Sequence, residues 1–299
     1  MRKGTKIALI IATALLVLGG MIFSGAMSFV QWDFGKMSLN KPETNEYVLA
    51  ESYQDILIET RTADVVILPS ETEETTVVCK EQERLKHKVT VSEDTLTIKL
   101  VDTRKWHDYL FDFANTQITV YVPTVQFGKI SVKSSTGDVK ASDCICDDLQ
   151  IKNSTGDVVL QNVFAAGKIS TVSSTGDVKF KDCDAASVYV RESTGDVKVS
   201  DCICDDLQIK NSTGDVVLQN VFAAGKISIV SSTGDVKFKD CDAASVYVRE
   251  STGDVKGNFL TEKRFVTKTG TGDIHVPKSE IGGYCEIITS TGDIRFTIG

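Results

Sequence analysis

From about residue 130 to the C-terminus, apolar and polar residues alternate in short runs, and the runs keep a common register. The register is marked by Thr-Gly-Asp, whose Asp falls at 138, 157, 177, 196, 215, 235, 254, 273 and 293, in steps of 19 or 20 residues. With each Asp as position zero, position +1 is always Val or Ile, from Val139 to Ile294. Position +3 runs Ala141, Leu160, Phe180, Val199, Leu218 and Phe238, and is broken by Gly257. Positions −8 and −6 form two more apolar columns, beginning at Ile130 and Val132, with Thr171 and Thr267 as the polar entries in the second. Between the columns stand mostly Lys, Gln, Ser and Arg. Period-two alternation rich in β-branched residues predicts strands with one buried face. No stripe with a period of 3.6 residues survives here, which excludes a helical solenoid.

Fixed spacing over nine turns predicts a stack in which each rung covers its neighbour. The fold class expected is therefore all-β, a parallel β-helix-like solenoid of 19–20-residue rungs. Each rung is expected to place two short strands around a Thr-Gly-Asp turn. At about 4.8 Å per rung, nine rungs would span on the order of 40 Å. Residues 135–198 recur at 193–256 with an offset of 58, or three rungs, and differ only at Ala141/Val199 and Thr171/Ile229. Such a tandem duplication lengthens the stack without changing its register.

Three segments follow along the chain. Residues 1–30 carry Arg2, Lys3 and Lys6 ahead of an uncharged run from Ile7 to Val30. That is enough to span a bilayer as one helix, with the basic end in the cytoplasm and the body outside it. Ser24-Gly25-Ala26 also suits signal-peptide cleavage, and this alternative stays open. Residues 40–130 read as irregular cap rungs: Ile56, Ile58, Val65 and Ile67 fit the four columns around Asp64, and strands are expected at 75–80, 88–92, 95–101 and 117–122. The aromatic run Trp106–Phe113 interrupts this pattern, either as a plug of the open end or as a contact for a partner or the membrane interface. Residues 131–299 are the regular repeats.

A net charge of −8 argues against a nucleic-acid partner. No residue is singled out as catalytic, cofactor-binding or metal-ligating. His87, His107 and His275 are far apart in sequence, and no metalloprotease, nucleophile-elbow, Walker or dinucleotide motif is present. The eight cysteines include Cys144-Ile145-Cys146 and its copy Cys202-Ile203-Cys204, which fall into apolar columns at +6 and +8 and read as reduced core thiols. The stacked Asp row offers two readings, a cap on its own tight turn or a calcium ladder. The turn cap is the simpler, since the Gly-rich nonapeptide of calcium β-rolls is missing.

The Ser-Thr-Gly-Asp-Val/Ile repeats, the N-terminal apolar segment and Arg104-Lys105-Trp106 resemble the bacterial putative-adhesin family, a domain of unknown function common in Firmicutes. The resemblance implies a β-solenoid at the cell envelope and supplies no catalytic residues. The function expected is a non-catalytic adhesin or scaffold, held in the membrane by its N-terminal helix and contacting a surface polymer or envelope protein. An envelope regulator working through a membrane partner is the alternative, and a polysaccharide-active enzyme the remote one.

Overall fold

A computed structural model describes residues 3–29, 31–32, 42–104 and 116–299. The expected aromatic segment 106–113 lies outside the described residues. Helix α1 (Lys3–Phe29) contains a 20-residue stretch, Ile10–Phe29, long and apolar enough to cross a membrane; a signal sequence meets the same test.

The other described elements are strands. β1 (Pro42–Leu49), β2 (Asp55–Glu59), β3 (Asp64–Pro69), β4 (Thr75–Gln82), β5 (Leu85–Ser92), β6 (Thr95–Asp102), β7 (Gln117–Val122) and β8 (Gln126–Lys133) precede the regular stack. The stack itself is β9 (Val139–Lys152), β10 (Val158–Val172), β11 (Val178–Thr194), β12 (Val197–Thr213), β13 (Val216–Val230) and β14 (Val236–Thr252). Five strands close the chain: β15 (Val255–Phe259), β16 (Lys263–Thr271), β17 (Ile274–His275), β18 (Gly283–Thr291) and β19 (Ile294–Ile298). All belong to one sheet. From β9 to β14 each strand pairs in parallel with the next, column on column: Val139 with Val158, Val158 with Val178, Val178 with Val197. An all-β solenoid is what the periodicity required.

Within a rung the chain bends more often than a two-strand reading allows. After Asp138 the inward side chains are Val139 and Ala141, then Cys144 and Cys146, then Leu149 and Ile151, all essentially buried. Each pair is separated from the next by two outward residues instead of one, and that break in alternation is a corner. The first corner residue is held at positive φ, with Asp143 at 55°, Asn162 at 51° and Asp182 at 53°. Asn and Asp tolerate this left-handed region better than other side chains. A second corner lies at Asp147-Asp148, and the Thr-Gly-Asp turn makes the third. The rung therefore has three faces, and the +6/+8 columns form a strand of their own. The longer rungs absorb their twentieth residue at the second corner, where the register shifts between Ala165 and Lys168.

Neither end of the stack follows chain order. At the N-terminal end the rung of β2 and β3 pairs with β8 and β9 on one side and with β6 and β7 on the other, so the later segment lies further out. Antiparallel partners complete this end, β5 on β6, β4 on β7 and β1 on β4. At the C-terminal end β18 lies between β14 and β16, and β19 between β15 and β17. The last rung in sequence is thus enclosed by the two before it. Phe238, Phe259, Phe265 and Phe296 fill the core there, with ring centroids 5.0–6.3 Å apart. The break in the +3 column also belongs to this end. Gly257 has φ of 154°, a Cβ on it would lie 2.0 Å from the carbonyl oxygen of Phe238, and Phe259 supplies the buried ring instead.

Candidate functional site

The Thr-Gly-Asp turns stack into a continuous ladder. Asp138 Oδ1 accepts the backbone N–H of Asp157 at 3.0 Å, Asp157 Oδ1 that of Asp177 at 2.9 Å, and Asp177 Oδ1 that of Asp196 at 3.0 Å. The series begins at Asp64 and ends through Asp254, Asp293 and Asp273 in that spatial order. From Asp64 to Asp293 each carboxylate therefore caps the rung next to it in space, not its own turn as the local sequence suggested. A turn residue offers its carboxylate to whichever N–H lies nearest, and stacking brings the neighbouring rung's amide within reach. At some turns Oδ2 faces outward to lysine, as in Lys179–Asp177 at 2.9 Å and Lys237–Asp215 at 2.7 Å. The N–H of Asp196 and the Lys179 ammonium hold Asp177 below the usual carboxylate range. For Asp215 the Lys237 ammonium is the main cause of the same depression. Backbone N–H groups along the row, and lysines at Asp177, Asp215 and Asp235, offset part of its negative charge.

Glycine in the turn is demanded by contact as well as by φ. At Gly195, φ is 149° and a Cβ would lie 2.0 Å from the carbonyl oxygen of Gly176.

Beneath the turns runs a buried polar column that the apolar register did not reveal. It occupies position −4 and includes Asn153, Ser173, Glu192, Asn211, Ser231 and Glu250. Asn153 Nδ2 donates to the carbonyls of Gly137 and Gly156, and Asn211 repeats this with Gly195 and Gly214. Glu192 Oε1 accepts the N–H groups of Ser193 and Thr194. Burial raises the carboxyl pKa of both Glu192 and Glu250, outweighing the donors around them. The signal was present in the sequence, as the next inward position after −8 and −6.

All eight cysteines are free and buried. Burial pushes the thiols of Cys144, Cys146 and Cys204 up to about 12, so they act as small hydrophobes. Cys183 and Cys202 meet on adjacent rungs, where the Cys183 N–H reaches Cys202 Sγ at 3.4 Å. The Cys183 side chain and burial together hold the Cys202 thiol far above its ordinary value.

One grouping of metal-competent side chains occurs among the described residues: Cys79, Glu81 and His87, all buried in the N-terminal strands. Glu81 Oε2 accepts the His87 backbone N–H at 2.6 Å and lies 3.0 Å from His87 Nδ1, and Oε1 accepts Asn45 Nδ2 at 2.7 Å. His87 Nε2 meets Thr60 Oγ1 at 3.0 Å. Burial acts to raise the Glu81 pKa, but the donors from His87 and Asn45 bring it below the ordinary value. The network ties β1, β4 and β5 to the rung containing Thr60. Of the other two histidines, His275 is exposed on β17 and His107 lies outside the described residues.

The outward sides of the faces differ sharply in charge. Over six rungs the second face and its corners (143–148, 162–167, 182–187, 201–206, 220–225 and 240–245) carry ten Asp and no Lys or Arg. Its central outward column reads Ile145, Phe164, Asp184, Ile203, Phe222, Asp242, and Phe164 and Ile203 are 51% and 59% exposed. Small alanines at the corner beside this column leave a groove of about 770 Å³. The third face presents Lys152, Val172, Arg191, Lys210, Val230 and Arg249 in one outward column. Lys168 and Lys226 add to it, each lying over a tyrosine ring, Tyr189 at 5.0 Å and Tyr247 at 5.1 Å. The rod is thus acidic and apolar on one side and basic on another.

Two crystal structures share this architecture. A putative adhesin from Bacteroides fragilis superposes with a TM-score of 0.52 at 17% identity, covering 86% of this chain and 97% of its own. A putative adhesin from Parabacteroides distasonis gives 0.53 at 13% identity, covering 87% and 98%. At these identities the likeness is one of fold. Among curated proteins, none matches the chain by sequence. The Toastrack DUF4097 family model matches residues 53–239 and again 182–299, two overlapping placements that reflect the internal duplication. Between them these matches take in the whole β-structure from Tyr53 to the C-terminus, and the chain belongs to the Toastrack DUF4097 family.

Proposed function

We propose that this chain is a non-catalytic, adhesin-like rod displayed at the cell envelope, which binds a surface polymer or envelope protein through its repeated outward columns. In this reading Ile10–Phe29 spans the membrane, the basic N-terminus stays in the cytoplasm, and the β-structure lies outside. The observation that carries it is the exposed Ile-Phe-Asp column of the second face, which recurs unchanged after three rungs. An exposed apolar column flanked by charge is costly unless something covers it. Repetition of one weak contact raises avidity without new chemistry. Two relatives of the same fold bear the description of adhesin, which agrees with this reading.

Deleting residues 193–250 tests it. The deletion removes one copy, or three rungs, rejoins Glu192 to Ser251 in register, and shortens the rod by about 14 Å. Cells displaying the shortened chain at equal surface density are expected to retain only part of their attachment to envelope material. Unchanged attachment would move the function away from the repeats and toward the N-terminal strands.

A further inference from the structure

We propose that neighbouring copies of this chain pack side by side, the acidic-apolar second face of one against the basic third face of the next. The inference rests on the reading of the chain as an anchored rod.

The first argument is charge. Lys152, Arg191, Lys210 and Arg249 are exposed and form no ion pair among the described residues. The second face offers Asp147, Asp184 and Asp205 with no Lys or Arg of its own. Packing like face on like face would set these carboxylates against one another, so the favourable contact joins unlike faces.

The second argument is register. In the rung opened by Asp138 the outward residues of the two faces are Ile145 and Lys152; in the next rung, Phe164 and Val172; in the next, Asp184 and Arg191. The same triplet returns as Ile203 and Lys210, Phe222 and Val230, Asp242 and Arg249, although Asp242 already pairs with Lys263 within the chain and Asp184 is the carboxylate left for the contact. Two copies at the same height therefore set Phe beside Val, Asp beside Arg, and Ile beside the aliphatic stem of Lys, and the match repeats every three rungs, about 14 Å. Equal height and equal direction are what a common membrane anchor imposes.

The third argument concerns strength and symmetry. Six rungs of about 4.8 Å and a face about four residues wide give a patch of roughly 29 by 13 Å, or about 380 Å² per copy. A stable dimer needs about 800 Å² per partner, so a single contact is weak and depends on confinement at a surface. Because the two patches differ, the contact is heterologous and leaves one unused patch on each outer copy, so it grows beyond a pair, closing into a ring where the angle between the two faces allows and otherwise extending as a row.

The test uses the full chain in vesicles of zwitterionic lipid, labelled with donor or acceptor at Glu280→Cys, since the native thiols are buried. One variant carries Lys152→Glu, Lys210→Glu and Arg249→Glu, and another Asp147→Lys, Asp184→Lys and Asp205→Lys. Wild-type chains are expected to show energy transfer above the random level for their density, falling as salt rises. Each charge-reversed variant alone should lose that excess, by about tenfold or more in association, and a mixture of the two should regain it. If a charge variant loses its strand signature in circular dichroism, Phe164→Ser with Phe222→Ser replaces it and should also abolish the excess. Random transfer for wild type, or variants that associate unchanged, would overturn the proposal, as would a mixture that fails to recover. Failure here with graded loss of attachment in the 193–250 deletion leaves the adhesin reading standing, so the two failures are distinguishable.

Discussion

The Asp ladder can be dissected at Asp177. Its Oδ1 accepts the N–H of Asp196 at 3.0 Å and its Oδ2 pairs with Lys179 at 2.9 Å. Asp177→Ala removes both. Losing the hydrogen bond costs about 1 kcal/mol. The ion pair adds little, because the Asp177 and Lys179 side chains are 36% and 46% exposed and solvent screens them. Asp177→Asn keeps an acceptor oxygen and loses only the charge, so its cost is expected within about 0.5 kcal/mol. Because rungs interact with their neighbours alone, the effect is local, and amide hydrogen exchange at Asp196 and Val197 is the suitable assay. Exchange there should quicken about fivefold in the Ala variant and change little in the Asn variant. The pH dependence has a definite sign. Asp177 titrates below the ordinary carboxylate range when folded, so its contribution is present above that range and lost as pH falls through the lowered value. The Asn variant should lack this acid limb. If Asn proves as damaging as Ala, or if calcium stabilises the wild type and not the Asn variant, the carboxylate serves a cation and the capping argument fails.

Three further outcomes are expected. Gly195→Ala should destabilise its rung by about 3 kcal/mol or more, since backbone strain at positive φ adds to a Cβ driven into the Gly176 carbonyl; Ser193→Ala, on an exposed neighbour, should stay within about 0.5 kcal/mol in the same denaturation experiment. Glu192→Gln and Glu250→Gln should raise the denaturant midpoint at neutral pH: a buried carboxyl with a raised pKa loses stability as pH climbs through the folded value, and the amide keeps the acceptor while carrying no charge. The advantage should vanish on acidification below the ordinary glutamate range, and an unchanged difference at all pH values would contradict the assignment. Thiol reagents should label none of the eight cysteines in the folded chain and all of them in denaturant; rapid labelling of Cys144 or Cys204 under native conditions would show that their column is open to solvent.

Much of this molecule is legible before folding is considered. Parallel stacking needs only that like residues recur at like intervals, and the Val/Ile column from Val139 to Ile294 fixes rung length, core face and strand period together. The duplication of 135–198 at 193–256 states as directly that the rod extends by whole rungs. Even the buried Asn and Glu column lay at the next inward position, although polar residues gave it no hydrophobic signal. Spatial order at the ends was beyond reach, because any order of rungs satisfies the same columns. Enclosing Ile294 between Val255 and Ile274 depends on the Phe238, Phe259, Phe265 and Phe296 rings filling one core. The target of each Asp was likewise undetermined, since a carboxylate bonds the nearest donor and only stacking decides which donor that is. The sequence by itself determined rung length, inward columns and extensibility, because these follow from period alone. Tertiary structure decided the corners that separate an acidic-apolar face from a basic one, because charges far apart in the chain share a side only after each rung has turned three times.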